Sequence, residues 1–225
     1  MKTVAILPGA GRGRRLAGDR PKAFVVLGGR TLLEHAAAAI EVCPDVDAFV
    51  VAAPAGWEDR AREIVGGFSK LIAVTSGAET RQGSVHLALA EIPEDFDAVV
   101  CHDVARPLAS PKLFSAVLSA LDRADGAVPA VAVSDTVKRV ADGVVVETLV
   151  RDGLVLVQTP QAFHRRALHD AHRGAAAEGI TATDDAALVE RAGYRVVLVD
   201  GEEGNLKVTR PDDLRRAEAL LRADG

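Results

Sequence analysis

The chain has 225 residues, 48% of them apolar, with 27 Lys and Arg against 32 Asp and Glu for a net charge of −5. That length and apolar content supply a full core and argue against disorder, while the acidic balance argues against general nucleic-acid binding. Cys43 and Cys101 stand outside any C-x-x-C pair, which argues against a disulfide framework or a structural zinc site and points to the cytoplasm.

The N-terminal apolar stretch stops at Pro8-Gly9, too short for a signal h-region, and no later run reaches membrane-spanning length. In chain order, apolar runs predict strands near 3–7, 47–53, 70–75, 97–102, 127–132 and 194–199. Helical patterns fall near 31–42, 57–66, 80–91, 110–122, 165–178, 184–192 and 211–222. The alternation predicts one α/β domain over 1–225, built on a doubly wound, mostly parallel sheet with its ligands outside the carboxyl ends of the strands.

The segment 134–161 breaks that alternation. Its β-branched runs, Thr136–Val140 and Val144–Val150, are separated by Ala141-Asp142-Gly143, and Asp-Gly between such runs signals a hairpin. A hairpin with apolar residues on both runs needs a surface to pack on, and a second copy of the chain is the simplest one. A meander on the sheet edge is the alternative.

The first strand runs into Pro8-Gly9-Ala10-Gly11-Arg12-Gly13-Arg14-Arg15-Leu16. Alternating glycines let backbone N–H groups approach a polyanion, and Arg12, Arg14, Arg15, Arg20 and Lys22 set five cations against the single acid Asp19. A G-x-G-x-x-G fingerprint would need glycine where Arg14 or Leu16 stands, and the G-x-x-x-x-G-K-[ST] loop is absent. The loop therefore suits chemistry in which charge develops on phosphoryl oxygens. A glycine turn followed by a solvated basic helix start is the alternative.

The six histidines, His35, His86, His102, His164, His169 and His172, form no nucleophile-activating motif. His169 and His172 read as a solvated helix face rather than a metal pair, and Thr183 as the cap of a helix whose acidic first turn is Asp184-Asp185.

Further motifs are Arg20-Pro21-Lys22, Glu79-Thr80-Arg81-Gln82-Gly83-Ser84-Val85, His102-Asp103-Val104-Ala105-Arg106-Pro107, Asp135–Arg139, Thr159-Pro160-Gln161 and Gly204–Pro211. Together, in this order and over residues 4–222, they resemble the 2-C-methyl-D-erythritol 4-phosphate cytidylyltransferase family. The resemblance implies a Rossmann-like nucleotidyltransferase, homodimeric through a projecting β-hairpin arm at about 134–161. Its partners would be CTP and a sugar-alcohol phosphate, with Mg²⁺ as the cofactor and with neither nucleic acid nor membrane. It implies catalytic roles for Arg15, Lys22 and Lys207, with nucleotide contacts from Pro8, Ala10, Gly11, Gly13, Gly77, Glu79, Ser84 and Asp103. It places the acceptor near Asp103, Val104, Arg106, Thr159 and Lys207, and near Thr136 and Arg151 brought across the dimer. The metal ligands stay unassigned.

Solvated alternatives stand beside several of these readings: a surface lysine for Lys22, a basic strand end for Lys207, a helix cap for Ser84, and an ion pair or turn for Asp103 with Arg106. Val104 and Gly9 replace expected alanines, and Ala187 an expected serine. Ribitol 5-phosphate remains an alternative acceptor. A non-catalytic nucleotide-binding regulator would have no reason to keep Lys22, Asp103 and Lys207 together.

Overall fold

The computed structural model describes residues 1–11, 16 and 20–223. Its central sheet follows from strands that are apolar on both faces. β1 (Thr3–Pro8) pairs in parallel with β4 (Ala48–Ala53) and with β6 (Ala98–Cys101), and β4 pairs in parallel with β5 (Leu71–Ser76). Side chains alternate between faces along each strand. Ala5, Leu7, Phe49, Val51 and Val100 enter one buried cluster, whereas Val4, Ile6, Val50, Val99 and Cys101 enter the other.

The first cluster is closed by α1 (Leu32–Val42), α2 (Glu58–Val65) and α4 (Pro111–Ser119); the second contains residues of α3 (Arg81–Ala90), α5 (Arg165–Glu178) and α6 (Asp185–Arg191). Helix starts are set by side-chain caps: Thr31 accepts from Glu34 N, Thr80 from Gly83 N and Ser110 from Leu113 N. A third cluster joins Leu27 of the short ribbon β2 (Val26–Leu27) and β3 (Arg30–Thr31) to Val208 and to Ala217 of α7 (Pro211–Ala223).

Beyond β6 the sheet becomes mixed. β11 (Gln161–His164) lies antiparallel between β6 and β7 (Gly126–Ala132), and β12 (Val196–Asp200) runs parallel to β7. The sequence reading contains no strand at 161–164. It also assigns the whole of 134–161 to the arm, but β10 (Val155–Val157) pairs with Ala130–Ala132 in the main sheet. Only β8 (Lys138–Ala141) and β9 (Val144–Thr148) form a separate ribbon, closed by Asp142 and Gly143 at φ 49° and 79°. Positive φ at both central residues is the two-residue turn that Asp-Gly favours. Every residue of β8 and β9 is exposed.

Candidate active site

The parallel strands end at one rim, and the loops leaving them carry the charged residues. Residues 9–11 follow β1, 77–80 follow β5, 102–106 follow β6 and 201–210 follow β12. Two adjoining cavities lie there, of about 150 and 190 Å³, and Arg81, Asp103 and Lys207 line both.

Pro8, Ala10, Gly11, Lys22, Glu79, Ser84 and Val104 line the first cavity. Lys22 follows Pro21 in a single 3-10 turn, and its backbone N–H reaches Gly11 O at 3.4 Å, so the lysine is seated beside the glycine loop. Gly77 packs the second loop onto the first: its N–H donates to Ala53 O at 2.7 Å, and a Cβ there would lie 2.5 Å from Ala10 Cβ. Gly13 and Arg15, with Arg12, Arg14 and Asp19, lie outside the described residues. Gly9 and Val104 are neighbours, a Cβ on Gly9 falling 4.0 Å from Val104 Cγ1. The smaller residue at one position thus faces the larger at the other.

Ser84 is not the helix cap, a place taken by Thr80. Fully buried, Ser84 Oγ donates to Thr80 O at 2.8 Å and accepts from Ala78 N at 3.0 Å. These two bonds fix the 77–80 loop, of which Ala78, Glu79 and Thr80 line the cavity with Ser84.

Asp103 anchors the rim. Arg81 Nε donates to Oδ1 at 2.7 Å and Lys207 Nζ to Oδ2 at 2.6 Å. Burial opposes the carboxylate charge, but the Arg81 and Lys207 cations outweigh it and hold Asp103 well below the usual carboxylate range. Arg106 is held by carbonyls rather than by that carboxylate. Its N–H closes a turn onto Asp103 O at 2.9 Å, while its guanidinium donates to Asn205 O at 2.7 Å and Val157 O at 3.3 Å. Arg106 therefore ties the 102–106 loop to 201–210 and to β10.

Arg106 and Thr159 line the second cavity. Thr159 Oγ1 accepts from Asp103 N at 3.0 Å and lies 3.2 Å from His102 Nδ1. His102 Nε2 meets Arg106 O at 3.2 Å; a carbonyl only accepts, so Nε2 carries the proton and Nδ1 accepts from Thr159. Burial pushes the His102 pKa down to about 4, keeping the ring neutral. Thr136 and Arg151 line neither cavity; both are exposed on the arm, where Arg151 donates to Ser134 O.

Two readings of the 165–191 region are corrected. Asp184, not Thr183, caps α6 by accepting from Ala187 N at 3.0 Å, so Asp185 turns inward and is buried against Arg81 and His172. His172 is buried as well, whereas His169 is exposed. Residues 167, 168, 171, 172 and 175 are the buried face of α5, and that helical spacing placed His172 on the apolar side.

Known proteins match this chain over nearly its whole length. The family model described as 2-C-methyl-D-erythritol 4-phosphate cytidylyltransferase matches residues 3–223. A protein of that name from Frankia casuarinae is 46% identical over 98% of this chain and 81% of its own length. A bifunctional enzyme IspD/IspF from Rhodospirillum rubrum is 44% identical over 100% of this chain, which spans 58% of it. The crystal structure of 2-C-methyl-D-erythritol 4-phosphate cytidylyltransferase from Thermus thermophilus superposes with a TM-score of 0.83 at 39% identity, covering 99% of this chain and 100% of its own. With the match running through all the rim loops, this chain belongs to the 2-C-methyl-D-erythritol 4-phosphate cytidylyltransferase family.

Proposed function

We propose that the chain transfers the cytidylyl group of CTP to 2-C-methyl-D-erythritol 4-phosphate. An oxygen of the acceptor phosphate bonds to the α-phosphorus as the bond to pyrophosphate breaks. The supporting observation, beside family membership, is the convergence of Lys22, Asp103 and Lys207 on one cavity at the glycine loop. A phosphate monoester has its second pKa near ~6, so the nucleophile is already ionised at neutral pH and needs no base. The neutral, fully engaged His102 accords with that. Lys22 and Arg15 neutralise the charge that builds on the phosphoryl oxygens, and Lys207 lies where both phosphates meet. The backbone of the 77–80 loop, held by Ser84, faces the cytosine. Arg106 and Thr159 fix the loop that presents Asp103.

No group of three or more His, Cys, Asp or Glu is arranged to hold a metal ion among the described residues. The rim offers the carboxylates of Asp103 and Glu79 without a protein cage, and this suits a Mg²⁺ that arrives on the triphosphate and keeps much of its water. Asp103 would hold it beside the phosphate oxygens, where the ion supplies charge neutralisation. No helix among the described residues is long and apolar enough to cross a membrane, and the two buried free cysteines fit a reducing cytoplasm.

The exposed valines of β8 and β9 support a homodimer in which each arm carries Thr136 and Arg151 to the neighbour's acceptor phosphate. The test of the reaction is pyrophosphate release with CTP, UTP, ATP and GTP, each paired with 2-C-methyl-D-erythritol 4-phosphate and with ribitol 5-phosphate. Release is expected from CTP with the first acceptor. Equal or faster release with ribitol 5-phosphate would overturn the acceptor, and silence with every pair would overturn the activity.

A further inference from the structure

The two cations on Asp103 are held very differently. Lys207 is 45% exposed, and Asp103 is its one ion pair among the described residues. Arg81 opens α3 and is gripped from behind, its Nη1 donating to Asp185 Oδ2 at 2.6 Å while Nε holds Asp103. Asp185 opens α6 with its side chain 1% exposed, and its second oxygen meets His172 Nε2 of α5 at 3.0 Å. A line of contacts therefore runs from α5 through α6 to α3 and ends on the carboxylate shared by both cavities.

Charge follows the same line. Burial disfavours ionisation of Asp185, but Arg81 and the His172 hydrogen bond outweigh it. Arg81, Lys207, Asp103 and Asp185 together sum to neutrality. Without Asp185, Arg81 would be a largely buried cation with Asp103 as its one counter-charge, in competition with Lys207 for the same group. Nη2 of Arg81 is also buried, with no partner among the described residues, so the guanidinium that Asp185 orients keeps both N–H bonds of that nitrogen unspent, and Arg81 lines both cavities.

We propose that Asp185, steadied by His172, is a positioning residue that makes Arg81 the permanent partner of Asp103 and leaves Lys207 as the cation free to transfer to substrate phosphate. The inference rests on the cytidylyl-transfer reading. When a triphosphate enters, the half-exposed lysine can exchange one anion for another, whereas Arg81 is tethered at a second point. Asp103 is then uncovered at Oδ2 alone, with its position unchanged.

A double-mutant cycle tests this, with kcat and KM measured for both substrates in wild type, Asp185→Asn, Arg81→Ala and the double variant. Asp185→Asn should lower kcat/KM about 10-fold or more when Arg81 is present, the scale of a small misplacement at a reacting centre. In the Arg81→Ala background it should change little, because Asp185 acts through Arg81. Losses that multiply independently, or an Asp185→Asn enzyme that matches wild type, would overturn the proposal.

His172 gives a second route should Asp185→Asn fail to fold. His172→Gln keeps an N–H donor and should stay within about 3-fold of wild type, while His172→Leu, which cannot donate, should not. Equal activity in the two would remove the steadying role. The same cycle on the dissociation constant of CTP with Mg²⁺ needs no turnover, so an inactive wild type would defeat the functional reading while additive binding losses would defeat this one.

Discussion

The rim and the hairpin place charge and apolar surface in opposite ways. At the rim, Arg81, Asp103 and Asp185 are packed among buried strands and answer one another within a single chain. On the arm, Val140, Val144, Val145 and Val146 are all more than half exposed, and the ion pair Arg139–Glu147 sits in solvent. A carboxylate at the rim is kept charged by its neighbours, so its geometry is fixed before substrate arrives. Among the described residues nothing covers the ribbon, and every residue of β8 and β9 is exposed. At the rim, charges are answered within the chain, whereas exposed apolar side chains on the ribbon are the kind of surface that packs against a partner.

The largest expected effect breaks the rim. Lys22→Ala should lower kcat by about 100-fold or more, the cost of one preorganised charge stabiliser, with the fold retained because Lys22 is only half-buried. Near-native kcat at saturating substrates would remove the transition-state role of Lys22.

The next effect decides whether the arm completes a neighbour's rim. Arg15→Ala and Arg151→Ala chains, each nearly inactive alone, are unfolded together and refolded. If sites are shared, each heterodimer holds one doubly damaged site and one intact site, and random pairing restores about a quarter of wild-type activity. With verified heterodimers and no recovery, the arm would be acting within its own chain and the contrast between the regions would lose its functional meaning.

How much of this was legible depended on whether the partner was local. The strands β1, β4 and β6 showed because burial on both faces leaves continuous apolar runs, β5 and β7 showed as apolar runs without that full burial, and α1, α3 and α4 began at caps visible in the text, Thr31, Thr80 and Ser110. β11 was missed because Gln161–His164 is short, leads into α5 without a loop, and owes its place to β6 and β7 far along the chain. β10 has the composition of the arm, and only its pairing with β7 distinguishes it. At the site, Lys22, Asp103 and Lys207 were readable from motifs. Asp185 was not, since a one-residue shift of the cap from Thr183 to Asp184 decides whether it faces water or Arg81, and Arg81 lies 104 positions away.

A smaller effect separates the regions by acid. Asp103 and Asp185 both have folded-state pKa values below the ordinary 3.8, against the opposing influence of burial. Their stabilisation is therefore present in full above about pH 4 and drains away as pH falls toward the folded values, because the unfolded chain then binds the protons first. Asp185→Asn should give a lower but flatter plot of unfolding free energy against pH below about 4. Denaturant titrations at steps between about pH 5 and 2.5 measure that slope, and identical slopes for variant and wild type would mean that Asp185 titrates alike in both states.

The smallest effect belongs to the arm's own ion pair. Arg139 Nε donates to Glu147 Oε2 at 2.8 Å, within 0.2 Å of the 2.6 and 2.7 Å separations at the rim, yet the side chains are 64% and 51% exposed. Water and salt screen such a pair, and ordering two long side chains offsets what attraction remains. Glu147→Gln should therefore shift unfolding free energy by no more than about 0.5 kcal/mol. A loss several times larger would mean that Glu147 is desolvated in the assembled protein. The arm would then be covered along this face as well as along its valines, and the difference between rim and ribbon would belong to the single chain rather than to the working enzyme.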